Sequence, residues 1–129
     1  MSEDHDNTVR LLIAETDRIV ARDLELILQS QGFSILGVPS AVHEVISQVE
    51  DEKPDLILMD VVMPGMNGFQ ASREITTNPD TSSIPVIIVS TKDQETDKLW
   101  GLRQGAKDYI TKPAKEKDLI GKINTLLGN

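Results

Sequence analysis

The chain has no cysteine. That excludes a disulfide framework, a thiol nucleophile and any cysteine-based metal site. It has no apolar run near the ~20 residues that a membrane-spanning helix needs, and its polar start does not read as a signal peptide. The expectation is a cytoplasmic protein with no membrane partner. Its two histidines, His5 and His43, stand far apart and offer no metal site. Excess positive charge is missing too: the net charge is −8, which argues against nucleic acid as a partner. There is no internal repeat, low-complexity tract or linker.

What is present suits one domain with a proper core, at 129 residues and 39% hydrophobic content. A loose polar tail is expected over residues 1–8 and a single domain over 9–129. The charge is uneven. Residues 92–129 carry eight Lys/Arg against six Asp/Glu, and residues 1–91 carry five against fifteen. Two readings stand: ordinary solvated surface, or a C-terminal face that docks an acidic partner.

Apolar runs and helical stripes alternate along the chain. Val9–Ala14 reads as a strand. A helix follows to about Gln31, with Val20, Leu24, Ile27 and Leu28 inward and Gly32 closing it. Phe33–Val38 is a second strand. Ser40 is the expected cap of a helix lined by Ala41, Val42, Val45, Ile46 and Val49. Leu56–Met59 is apolar on both faces, as a buried parallel strand is, and ends abruptly at Asp60. A loop marked by Pro64, Gly65, Asn67 and Gly68 leads to a helix over about Phe69–Thr76. Ile84–Val89, a helix over Asp93–Gln104, Lys107–Thr111 and a helix over Glu116–Leu127 complete the series. Five strand–helix alternations specify a parallel sheet with helices on both faces.

Polar groups follow the strands directly: Glu15, Thr16 and Asp17, then Asp60, Ser90 with Thr91, and Lys112. In a parallel sheet they converge on one edge, where open α/β sheets present their chemistry. Asp60 is either a displayed carboxylate or a turn cap. Acids, hydroxyls and a lysine gathered there suit phosphoryl transfer. A carboxylate there could accept a phosphoryl group covalently, neighbouring acids could hold a divalent cation, and Lys112 and a hydroxyl could pair with the phosphoryl oxygens.

These residues carry a resemblance. Asp60, Pro64 and Gly68, then Ser90 after Pro85–Val89, then Gly105-Ala106 and Asp108–Pro113 resemble the receiver domains of two-component response regulators. The match covers about residues 9–127, so the receiver would span 9–129. The resemblance implies a flavodoxin-like (βα)5 doubly wound parallel sheet with strand order 2-1-3-4-5. It implies Asp60 as phosphoacceptor, Ser90 and Tyr109 as switch residues, Lys112 as the active-site lysine, and a cis Lys112–Pro113 bond. Glu15, Asp60 and the Val62 backbone carbonyl would hold Mg²⁺. The implied partners are a sensor histidine kinase or phosphotransfer protein and an output protein docking on the face of helix four, strand five and helix five. With no output segment after residue 129, signalling is expected by docking rather than by catalysis. Phe69–Arg73, Val89–Lys98 and Leu99–Ala106 resemble PilH-type receivers of twitching motility, while Arg18–Glu25 resembles receivers of other response regulators.

One departure stands out. Receivers carry two adjacent acids after the first strand; here the slots hold Glu15 and Thr16. A neutral hydroxyl is a poorer Mg²⁺ ligand than a carboxylate, so weak metal binding is expected. Asp17 either compensates or caps the first helix. The rival to a working receiver is a degenerate one that binds partners without phosphorylation. A small α/β enzyme is the third option. A haloacid-dehalogenase-type phosphatase wants an aspartate where Val62 stands. A flavodoxin wants a hydroxyl-rich loop where Glu15–Arg18 stands.

Overall fold

The computed structural model describes residues 8–62 and 67–128. The expected tail, apart from Thr8, and the loop marks Pro64 and Gly65 lie outside those residues. The elements alternate as β1 (Arg10–Ala14), α1 (Arg18–Ser30), β2 (Ser34–Gly37), α2 (Val42–Glu52) and β3 (Leu56–Met59). They continue as α3 (Gly68–Thr77), β4 (Val86–Ser90), α4 (Glu95–Arg103), β5 (Asp108–Thr111) and α5 (Glu116–Leu127). The strands form one parallel sheet in the order β2-β1-β3-β4-β5, as the resemblance implied.

Strand periodicity divides the core. Successive strand residues face opposite sides of the sheet. Leu12, Ala14, Ile57 and Met59 therefore meet α2 and α3 through Val45, Val49, Ala71 and Ile75. Leu11, Ile13, Leu56 and Leu58 meet α1 and α5 through Leu24, Leu28, Leu119 and Ile123. All four β3 side chains are buried, which explains its unbroken apolar run. A third cluster of Val61, Phe69, Ile88, Ala106 and Tyr109 lies under α4.

The helix ends show local chemistry at work. Asp17 caps α1 by accepting from the amides of Ile19 and Val20. Gly32, at φ +90°, takes the left-handed turn that ends that helix, where a side chain would be strained. Asn67 and Gln70 form a reciprocal capping box on α3. Two expectations are corrected. Ser40 is not the cap of α2; Ala41 holds that position, with no side-chain hydrogen bond. Ile27 is only half-buried, and Ala21 takes its place in the inward stripe of α1.

Candidate functional site

Sheet register builds the site. Ala14 pairs with Met59, so the next residues, Glu15 and Asp60, emerge side by side; the Asp60 amide donates to the Ala14 carbonyl at 2.9 Å. Ser90 pairs with Thr111, which brings Lys112 onto the same edge; its amide donates to the Ser90 carbonyl at 2.8 Å. Glu15, Asp60, Ser90 and Lys112 thus converge at the carboxyl ends of β1, β3, β4 and β5, where the sequence places them. The Lys112–Pro113 bond is cis, as expected.

The charged centre is buried. Glu15 is 1% exposed and Asp60 6%. The Lys112 ammonium lies 2.6 Å from Glu15 and 3.4 Å from Asp60. Asp60 also accepts from the Val62 amide at 3.1 Å, and Glu15 from the Asp17 amide at 3.1 Å. Burial pushes the Glu15 carboxyl above its ordinary range. The bond from Lys112 pulls it back down, and the neighbouring Asp60 carboxylate adds to the rise.

Thr16 stands beside this centre. Its hydroxyl donates to the Val62 carbonyl at 3.4 Å, the same carbonyl the resemblance marks as a metal ligand. Of the two roles open to Asp17, the structure shows the cap: its Oδ1 accepts from the amides of Ile19 and Val20 at the start of α1. Among the described residues no group of three acidic or histidine side chains surrounds a common point. The oxygen set is therefore two carboxylates, one carbonyl and one hydroxyl. Mg²⁺ binds through one or two carboxylates and keeps several waters, so these residues fit that ion with a reduced charge.

A second cluster flanks the first. The Ser90 hydroxyl, fully buried, accepts from the Lys92 amide at 3.2 Å. The Tyr109 hydroxyl donates to the Lys92 carbonyl at 2.8 Å, and its ring is 8% exposed. Burial raises the Tyr109 phenol above its ordinary value. Ser90 lowers it, and the charges of Asp97, Asp60 and Asp93 raise it further.

Sequence reading missed two supports. Arg18 donates to the carbonyls of Glu15, Thr16 and Val38, pinning the loop after β1. The Gly68 amide donates to the Val61 carbonyl at 2.9 Å, tying the start of α3 to the acceptor loop. Nothing in the spacing of Arg18 marks it; Gly68 was visible as a loop glycine and a mark of the receiver resemblance, but its tie to the Val61 carbonyl was not.

The response regulator receiver domain family matches residues 11–124. The chain belongs to that family. Protein PilH of Pseudomonas aeruginosa is 48% identical over 118 residues, which are 92% of this chain and 97% of PilH. The crystal structure of a response regulator from Chloroflexus aurantiacus superposes with a TM-score of 0.89 at 27% identity, covering 95% of this chain and 99% of that one. The receiver domain of the sensor histidine kinase PA1611 from Pseudomonas aeruginosa superposes with a TM-score of 0.86 at 25% identity, again covering 95% and 99%. That crystal has a magnesium ion coordinated in its active-site cleft. The receiver is a phosphoacceptor module of two-component signalling and not an independent catalyst.

Proposed function

We propose that Asp60 is the acceptor of this receiver and that the phosphoryl group comes from a phosphohistidine on a sensor kinase or phosphotransfer protein. The observation that carries this reading is the buried cluster of Asp60, Glu15 and Lys112 at the carboxyl edge of the sheet. A carboxylate oxygen of Asp60 forms the new P–O bond as the P–N bond breaks. The imidazole leaves with the electron pair and takes up a proton, and the product is an acyl phosphate. Lys112 pairs with a phosphoryl oxygen and the Ser90 hydroxyl with another. Glu15, Asp60 and the Val62 carbonyl would hold Mg²⁺, with Thr16 at the weak position. When bound, the ion neutralises charge on the transferring group.

The output is protein docking on the face of α4, β5 and α5. Helix α4 leaves Leu99, Trp100 and Leu102 about half exposed, with only Gly101 buried, which suits a helix that meets a partner. A groove lined by Lys115, Lys117 and Lys122 together with Asp108 and Asp118 runs along α5. Phosphorylation shifts a two-state equilibrium there through Ser90, Tyr109 and their shared partner Lys92. The setting is a cytoplasmic phosphorelay controlling type IV pilus motility, supported by the likeness to PilH. None of the described helices is long and apolar enough to cross a membrane.

Intact mass after incubation with a small phosphodonor and Mg²⁺ tests this. The wild type should gain one phosphoryl group and Asp60→Asn none. A wild type that gains nothing supports the degenerate receiver, which the neutral Thr16 favours; labelling of Asp60→Asn would move the acceptor elsewhere.

A further inference from the structure

A second site lies at the opposite edge of the sheet from Asp60. A cleft of about 320 Å³ opens where the carboxyl ends of α3 and α4 meet the loop into β5. Three cations line it, Arg73, Arg103 and Lys107, and no acid does. In a chain of net charge −8 that is an unusual local field. Among the described residues none of the three pairs with a carboxylate, as is true of most Lys and Arg side chains here.

The plain alternative is that these cations complement the negative ends of the two helices. Hydroxyls serve some of the carbonyls around the cleft. Thr76 donates to the carbonyls of Ser72 and Gln104, Thr77 to that of Arg73, and Ser72 to that of Gln104. The three cations make no hydrogen bond to those carbonyls. Gln104 adds an independent sign. It lines the cleft and is 6% exposed, yet its side-chain carboxamide has no hydrogen-bond partner among the described residues. A buried amide without a partner costs about 1–3 kcal/mol unless something occupies it.

The geometry points to a binding pocket for a small phosphate-bearing anion, held by Arg73, Arg103 and Lys107 with the Gln104 carboxamide as a fourth polar contact. Guanidinium forks suit the bidentate recognition of phosphate. The volume stands at the low end for small-ligand sites. No aromatic ring lines the cleft, so the phosphates and not a base carry the binding. Inorganic polyphosphate and phosphate esters share this chemistry. The site does not depend on Asp60 being the acceptor.

The test is an NMR titration of the whole chain in Mg²⁺-free buffer, with inorganic pyrophosphate in one arm and adenosine diphosphate in the other. Saturable amide shifts are expected at Gln104, Gly105 and Lys107, with the two ligands binding alike. Arg73→Gln/Arg103→Gln keeps good helix formers and should weaken binding at least about tenfold, the scale of one lost charge-assisted bond. Lys115→Gln/Lys117→Gln on α5 should leave it unchanged. Shifts centred on α5, or a double arginine variant that binds like wild type, would overturn the assignment. So would a melting temperature that falls in that variant while wild type shows no saturable binding, because the cations then only complement the helix ends. Adenosine diphosphate binding about tenfold tighter than pyrophosphate would overturn the phosphate-only recognition.

Discussion

The Lys112 ammonium lies 2.6 Å from the Glu15 carboxylate in a buried ion pair whose side chains are 13% and 2% exposed. Asp60 shares the same cation at 3.4 Å. Lys112→Met keeps the bulk but leaves two buried carboxylates facing each other. Removing one partner of a buried pair strands the other, so the variant should lose about 2–4 kcal/mol at neutral pH. Part of that loss should return in acid, where Glu15 takes up a proton. Urea unfolding at the two pH values reads both effects. The variant should also lose phosphodonor-dependent docking of a partner. Unchanged stability with unchanged docking would remove Lys112 from the mechanism.

Tyr109 is the chain's only tyrosine, so tyrosinate absorbance reports it alone. Its burial predicts titration above the ordinary value of 10.0. The sign follows from linkage. A phenol whose folded pKa is raised holds its proton in the folded state after the unfolded chain has lost it. Stability is therefore fully present below pH 10.0 and falls as the pH rises through the folded pKa. Tyr109→Phe should lack that alkaline loss. A phenol titrating at or below the ordinary value in the folded protein would contradict its burial against Ile88 and Phe69.

Gly68 sits where the start of α3 crosses the acceptor loop. A Cβ there would strike the Asp60 carbonyl oxygen and lie 2.5 Å from the Val61 Cα. Both are backbone, so no side chain can swing aside. Gly68→Ala should cost about 3 kcal/mol or more, at the upper end of overpacking effects. It should also slow labelling of Asp60, because the loop carrying that residue must shift. A variant with wild-type unfolding and labelling would show that the crossing can widen freely.

The parallel sheet with helices on both faces was legible in the alternation of apolar strands and helical stripes, whereas its strand order came from the resemblance to receiver domains. The convergence of Glu15, Asp60, Ser90 and Lys112 followed from strand ends alone. Other features depend on distances that only the folded chain sets. Ser40 looked like a cap, but the turn after β2 delivers Ala41 to that position instead. Arg18 reaches back across the β1 loop to three carbonyls, and no periodicity encodes that reach. The joint hold of Ser90 and Tyr109 on Lys92 uses backbone groups of a residue whose side chain gave no hint.

Thr16 is where the chain departs from its family, and its contact sharpens the consequence. The hydroxyl donates to the Val62 carbonyl, whereas an ionised acid in that slot has nothing to donate. Thr16→Asp would set a third carboxylate near Glu15 and Asp60 and leave the Val62 carbonyl facing it. In chelator this should cost about 1 kcal/mol, the scale of one lost hydrogen bond plus added repulsion. With Mg²⁺ present the balance reverses, because hard cations are held mainly by charged oxygens. Affinity should rise about tenfold, and labelling of Asp60 should speed up with it. The variant's melting temperature should therefore climb more steeply with Mg²⁺ than that of the wild type, since a ligand stabilises the folded state by RT ln(1 + [L]/Kd) and the tighter binder gains more at a given concentration. Calorimetry measures the affinities directly. If wild type binds Mg²⁺ as tightly as Thr16→Asp, then Glu15, Asp60 and the Val62 carbonyl suffice, and the neutral side chain does not weaken the site.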